Sequence, residues 1–267
     1  MKKLILLTGA TDGIGLATAK NLASLDHHLL LHGRNSEKLS HVEQALKAIA
    51  PDSTIETYLA DLSSTSEIDA LANSVAATHR RLDVLINNAG VFKTAHPITP
   101  AGLDVRFAVN TIAPYLLTKR LFPLFDSTGR IINLSSAAQA TVHPDAISGN
   151  RRLDAGQAYA QSKLALTMWS IQLGKKIGNT GPAIIAINPG SFLGSKMVKE
   201  AYGMEGKDID IGADILTRAA LSDEFADASG KYYDNDEARF ATPHLDAVDE
   251  VKCKAVIAQL DSMLAGL

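Results

Sequence analysis

Short apolar runs alternate with amphipathic stretches along nearly the whole chain. The first run is 4–7, and after the glycine-containing turn 8–15 the apolar positions recur at Leu16, Ala19, Leu22 and Ala23. An unbroken apolar run fits a strand buried on both faces, whereas the later spacing is one stripe of a helix. Further strands are expected over 29–31, 54–60, 82–86, 129–134, 183–187 and 231–233. Helices are expected over 36–50, 64–79, 103–122, 157–177, 211–221 and 246–264. Strands that alternate with helices predict an α/β fold: a Rossmann-type, doubly wound, mostly parallel seven-stranded sheet with helices on both faces. No repeat or linker interrupts the pattern, so residues 1–267 are read as one domain. Two stretches, 137–156 and 191–210, have no clean period and are expected to be loops that shape a substrate site.

Composition changes this picture little. Apolar residues make up 46% of the 267 and charged residues 21%, which suits a globular protein, and a net charge of -3 argues against a nucleic-acid partner. Cys253 is the single cysteine, which excludes an internal disulfide and fits a reducing, cytoplasmic setting. The start Met1-Lys2-Lys3 before 4–7 superficially resembles a signal peptide, but the apolar run ends at Thr8-Gly9 and reads as a buried strand. No later run approaches the roughly 20 apolar residues of a membrane span.

Candidate chemistry collects where strands end. In Thr8-Gly-Ala-Thr-Asp-Gly-Ile-Gly15, glycines 9, 13 and 15 permit a tight turn and bring backbone amides at a helix N-terminus close to a pyrophosphate. The second strand leads to Gly33-Arg34-Asn35, with no carboxylate to bind a ribose 2′-hydroxyl. A guanidinium there suits a 2′-phosphate, so NADP(H) is preferred, with NAD(H) as the alternative. The fourth strand runs into Asn87-Asn88-Ala89-Gly90, and the fifth into Ser135-Ser136. Pro114 lies inside an expected helix and has no N–H for the carbonyl of Asn110, which is thereby free for water or a ligand while the Asn110 side chain braces the kink. Tyr159 and Lys163 stand four apart on an expected helix, hence on one face, where the ammonium is expected to lower the phenol pKa. The apolar stripe of that helix suits core packing or a homo-oligomeric partner.

Taken together these motifs resemble the short-chain dehydrogenase/reductase family over essentially the whole chain. Thr8 to Gly15 is similar to its TGxxxGxG, Asn87 to Gly90 to its NNAG, Tyr159 to Lys163 to its YxxxK, and Pro189-Gly190 to its PG. The resemblance implies a catalytic set of Asn110, Ser136, Tyr159 and Lys163. Tyr159 would exchange a proton with a carbonyl oxygen that Ser136 also binds, Lys163 would hold the nicotinamide ribose, and Asn110 would bind a water that relays protons to Lys163. It implies cofactor contacts from Gly9, Thr11, Asp12, Gly13, Ile14, Gly15, Arg34, Asn35, Asp61, Leu62, Asn88, Ala89, Gly90, Pro189 and Gly190, besides Tyr159 and Lys163.

The long interval between Ser136 and Tyr159, with Ser135 to Ala138 and Tyr159 to Ala165, resembles the retinol-dehydrogenase-like branch. That branch implies an apolar carbonyl or alcohol substrate. Gly194 replaces the threonine of the family's PGxxxT, and Ser195 is the expected substitute contact to the nicotinamide amide. A non-catalytic NADP(H) sensor or scaffold is the rival reading. The chain has no GxSxG elbow, no P-loop and no HExxH spacing, so a serine hydrolase, an NTPase and a catalytic metal are not expected.

Overall fold

The computed structural model describes residues 2–265, so residues 1, 266 and 267 of the expected domain lie outside the described residues. The strands are β1 (Leu4–Leu7), β2 (His28–Gly33), β3 (Ile55–Leu59), β4 (Val84–Asn87), β5 (Arg130–Leu134), β6 (Ala183–Asn188), β7 (Tyr232–Asp234) and β8 (Arg239–Ala241). The helices are α1 (Gly13–Ser24), α2 (Ser36–Ile49), α3 (Thr65–Thr78), α4 (Val105–Phe107), α5 (Ala113–Leu121), α6 (Pro144–Ile147), α7 (Ala155–Ile177), α8 (Lys196–Tyr202), α9 (Asp210–Leu221) and α10 (Glu250–Leu264).

The sheet order is β3-β2-β1-β4-β5-β6-β7-β8, parallel through β7. Successive side chains of each strand enter opposite layers. Ile5 and Leu7 pack with α1, α2 and α9, while Leu6 packs with α3, α5 and α7. This two-sided burial is why the strands read as continuous apolar runs.

Eight strands rather than the expected seven form the sheet. After β7 the chain turns back and β8 pairs with it antiparallel, Tyr233 opposite Phe240. Three residues with the polar Arg239 at one end are too short to carry a period, so β8 was not legible. The helix expected over 103–122 is composite: α4, a wider π-helical turn Ala108–Ile112, then α5 with Pro114 in its first turn. The widened turn accommodates a proline that has no N–H.

Both unpatterned stretches contain short helices. Within 137–156 lies α6, and α7 begins at Ala155 on an Asp154 cap. Within 191–210 lies α8, capped by Ser195 and closed by Gly203 in the left-handed region. The terminal helix is likewise divided into a 3-10 turn, Leu245–Ala247, and α10.

The apolar stripe of α7 is used inside the chain. Its Leu164, Met168 and Trp169 are at most 1% exposed and share a core layer with Cys253, Val256 and Leu260 of α10. Tyr115 Oη and Lys119 Nζ both donate to Asp261 Oδ1, at 2.9 and 2.6 Å, pinning α10 over α5.

Gly174 lets α7 touch the segment before β7: a Cβ there would lie 2.3 Å from Gly230 N and 2.7 Å from its Cα. Alanine favours a helix interior by about 1 kcal/mol over glycine. Overpacking against backbone costs about 3 kcal/mol. Gly174→Ala is therefore expected to lower unfolding stability by about 2 kcal/mol, read by urea denaturation.

Candidate active site

The crevice opens where β1 and β4 adjoin and the chain departs to opposite sides of the sheet, the switch point at which α/β sheets bind ligands. Thr8 Oγ1 donates to the carbonyl of Ile86 and accepts from the backbone N–H groups of Asn88 and Ala89, both at 3.1 Å. Asn88 Nδ2 donates to the carbonyls of Thr8 (2.8 Å) and Gly9 (3.0 Å). The Asn88 amide thus shapes the turn. His32, 3% exposed, accepts from Gly9 N–H through Nδ1 and donates to the Ala60 carbonyl through Nε2. Nothing in the sequence pattern singles His32 out, because its role is to brace a neighbouring strand end.

The glycines meet a steric need. Gly9 has φ +67° and a Cβ there would come within 2.9 Å of Ala89 Cα; a Cβ on Gly15 would come within 2.2 Å of the Gly9 carbonyl oxygen. Gly13 is open apart from Ser195 Cβ at 3.5 Å, and Ile14 begins the turn of α1 beside it. Ser195 therefore lies beside the glycine turn, where its Oγ accepts from Val198 N–H. Asp12 accepts from Gly13 N–H at 2.8 Å and faces Lys38 at 3.6 Å. Thr11 abuts Gly33, whose Cβ would meet Thr11 Cγ2 at 2.6 Å. Arg34 is exposed and makes no ion pair among the described residues, while Asn35 caps α2 through Lys38 N–H. Asp61 accepts from Ser63 N–H at the end of β3, and Leu62 is 5% exposed in the core.

The other expected residues converge at the opposite end. Lys163, 4% exposed, donates to the Leu134 carbonyl at 2.6 Å, one residue before Ser135. Asn110, 1% exposed, accepts from Val91 N–H through Oδ1 (2.8 Å). Its Nδ2 donates to the Val91 carbonyl and to Ser162 Oγ, both at 3.0 Å. Its side chain therefore fastens the segment after Gly90, and does not brace the Pro114 kink as expected. Ser162 Oγ donates in turn to the Tyr159 carbonyl at 2.7 Å, linking Asn110 to the first turn of α7. Gly90 opens onto the same place: a Cβ would lie 3.5 Å from Asn110 Oδ1 and 3.6 Å from Lys163 Nζ. Pro189 is buried, its carbonyl accepting from Asn235 Nδ2, and Gly190 follows at φ +122°. The glycine cradle, the unpaired Arg34 and the ammonium beside Gly90 fit a dinucleotide laid along the crevice.

Electrostatics depart from expectation. Burial raises the Tyr159 pKa, a hydrogen bond with Ser136 lowers it, and the Tyr202 charge raises it. Lys163 sits 5.9 Å from the centre of the Tyr159 ring, and the net shift of the phenol is upward, with burial its largest cause. Burial itself brings the Lys163 ammonium down to about 8. Desolvation outweighs the expected ion–phenol attraction at both groups.

Three aromatic side chains extend from the pair. Phe92 packs on Tyr159 with ring centres 4.7 Å apart, and Tyr202 of α8 lies 6.2 Å from Phe92 and 5.3 Å from Phe192. Gln139 Nε2 donates to the Ser136 carbonyl and its Oε1 accepts from His244 N–H, holding the serine against the chain's C-terminal part.

Fold and crevice define a Rossmann-type nucleotide-binding protein with a Tyr–Lys pair at the sheet's C-terminal edge. The chain belongs to the short chain dehydrogenase family, whose signature matches residues 3–206, and to its retinol-dehydrogenase-like branch. It is 30% identical to retinol dehydrogenase 13 of Homo sapiens, across 99% of this chain and 85% of the relative. It is also 30% identical to the chloroplastic short-chain dehydrogenase TIC 32 A of Brassica napus, across 91% and 83%. A metagenomic short-chain oxidoreductase solved in complex with NADP superposes with a TM-score of 0.62 at 32% identity, across 82% and 90%.

His32 generates a pH dependence of stability. Burial lowers its native pKa from 6.5, so the unfolded chain takes up a proton first as pH falls. The stabilisation is complete above about pH 6.5 and declines below it. Urea unfolding at pH 7.5, 6.5 and 5.5 should show this loss, with a shallower slope in His32→Gln. Equal slopes would remove His32 as the source.

Proposed function

We propose that the protein is an NADP(H)-dependent oxidoreductase of the carbonyl reductase and alcohol dehydrogenase type, interconverting an aldehyde or ketone and its alcohol with Tyr159 as general acid and base. The observation that carries this reading is the joining of Tyr159, Ser162, Asn110 and Lys163 around the opening at Gly90. Asn110, Ser136, Tyr159 and Lys163 form the catalytic set. A nicotinamide cofactor held by the glycine turn, Arg34 and Lys163 would supply the hydride for reduction and accept it in oxidation.

Tyr159 is well suited to the reductive direction. Burial keeps the phenol protonated at neutral pH, so it has a proton to give as the carbonyl oxygen gains charge. Ser136 hydrogen-bonds that oxygen from beside the phenol, and its own position is held by Gln139. Lys163 holds the nicotinamide ribose, and its charge is retained below about pH 8. Asn110 presents a backbone carbonyl to which Pro114 offers no N–H, suited to a water that returns protons toward Lys163.

Arg34, at the end of β2 and with no ion pair among the described residues, is assigned to the 2′-phosphate, and the similar metagenomic enzyme carries NADP. The other cofactor contacts proposed are the 9–15 turn, Asn35, Asp61, Leu62, residues 88–90, Pro189, Gly190 and Ser195, the last at the diphosphate end. Phe92 and Tyr202 favour an apolar substrate body, in keeping with the retinol named in the human relative. The buried Cys253 thiol suits a cytoplasmic setting. No helix among the described residues is long and apolar enough to cross a membrane.

Tyr159→Phe is expected to bind NADPH normally while kcat for a verified aldehyde or ketone falls by about 10²–10⁴-fold, the usual share of a general acid. An unchanged kcat would sink the assignment. Arg34→Ala is expected to weaken NADPH at least about tenfold and NADH far less, since a charge-assisted phosphate pair contributes on the order of 1.5–3 kcal/mol. Equal losses in a fluorescence titration would count against Arg34.

A further inference from the structure

Beside Phe92 the protein carries a cavity of about 620 Å³ whose walls each lead into the candidate active site. Lys93 follows Phe92, the ring of which packs on Tyr159. Ala155 lines the cavity from α7 four residues before Tyr159, so it lies on the same helix face about 6 Å away. Glu200 lines it from α8, two residues before Tyr202.

Ile98, Leu153 and Ala155 give the lining apolar surface, Lys93, Arg106 and Arg152 are its cations, and Asp104 and Glu200 are its carboxylates. Arg106 is satisfied within the protein, paired with Asp104 at 2.7 Å and donating to the Phe92 carbonyl at 3.2 Å, and this fixes the ring that faces Tyr159. Glu200 is paired with Lys196 at 3.5 Å. Lys93 and Arg152 have no carboxylate partner among the described residues. Lys93 Nζ donates to the carbonyls of Glu200 and Ala201 at the end of α8, and Arg152 Nη1 to that of Gly102. Two cations without a carboxylate partner thus border a largely apolar cavity lined by chain neighbours of Phe92, Tyr159 and Tyr202.

We propose that this cavity is the outer half of the substrate site and receives the carboxylate of an amphipathic oxo acid, whose apolar chain leads its carbonyl to Tyr159. This rests on the oxidoreductase reading above and specifies its substrate class. The rise of about 6 Å between Ala155 and Tyr159 sets the shortest chain that can join the two ends. The two cations select for the anionic end, and their attraction is screened by salt.

The test compares 8-oxooctanoate with octanal as substrates with NADPH, at 50 and 500 mM NaCl. The expected result is at least about a tenfold preference in kcat/KM for the oxo acid at low salt, smaller at high salt and reduced about tenfold in Arg152→Gln. Equal use of both aldehydes, with no effect of salt or of Arg152→Gln on their ratio, would overturn the proposal while leaving carbonyl reduction intact. A second measurement does not need turnover. Calorimetric titration of the NADP⁺-loaded protein is expected to show octanoate binding about tenfold tighter than octanamide, with the advantage lost in Arg152→Gln. Should neither aldehyde react, carbonyl reduction of such chains fails, and the titration alone decides the anion site; octanoate and octanamide binding alike would overturn it.

Discussion

The crevice depends on a clasp between the ends of two adjacent strands. Parallel pairing of β1 and β4 stops at Leu7 and Ile86, and after one further backbone bond, from Thr8 N–H to the Ile86 carbonyl at 3.0 Å, side chains hold the two segments together. One threonine hydroxyl and one asparagine amide make the join, each serving several backbone partners that would otherwise be buried or strained. Because Gly9 and Ala89 touch at backbone distance, the glycine turn can neither rise from the sheet nor accept a side chain. The turn therefore stays low at the start of α1, the helix end at which an anion is favoured. His32 closes the clasp from the opposite strand and remains neutral because its surroundings are dry.

The second half of the site is built on a different principle: dense burial around one helix. The first turns of α7 are fastened by Ser162 to Asn110, and Asn110 is fastened to Val91, so three parts of the chain share one hydrogen-bonded unit. The π-helical turn before Pro114 places Asn110 in that unit. A side chain so fully engaged contributes position. The same burial that orders Lys163 lowers its pKa to about 8, so the ammonium is poised to respond to whatever occupies the crevice.

Much of this was legible in the sequence, and the failures have physical causes. Seven strands and the order of the motifs followed from apolar runs that end in glycine, asparagine or serine, since a two-sided sheet leaves a one-letter trace. β8 left no such trace because three residues paired at an edge need no apolar run. Spacing placed Tyr159 and Lys163 on one helix face, whereas Asn110 was joined to them only by the family resemblance, since the proline argument speaks of its carbonyl alone. The direction of the Tyr159 shift was not, because spacing reports proximity and says nothing of desolvation. Ser162, His32, Gln139 and Phe92 were missed for a common reason: each works by touching residues far away in the chain, and no local pattern marks them.

Specificity and chemistry occupy separable parts of the fold. The Tyr–Lys pair and its supports lie on α7 and the strand ends, whereas the surrounding aromatic and cationic groups come from 91–98, from 152–155 and from α8. α8 is joined to the body by the short bridge of Leu193 with Lys207 and by the Lys93 contacts at its last carbonyls. Phe192, at the foot of that bridge, holds φ +57°, a conformation that costs a non-glycine residue about 1–2 kcal/mol. Its ring recovers contact with Tyr202, which reaches Phe92 and so Tyr159. The strained backbone at Phe192 and the aromatic chain that begins there therefore tie α8 to the residues packed on the phenol.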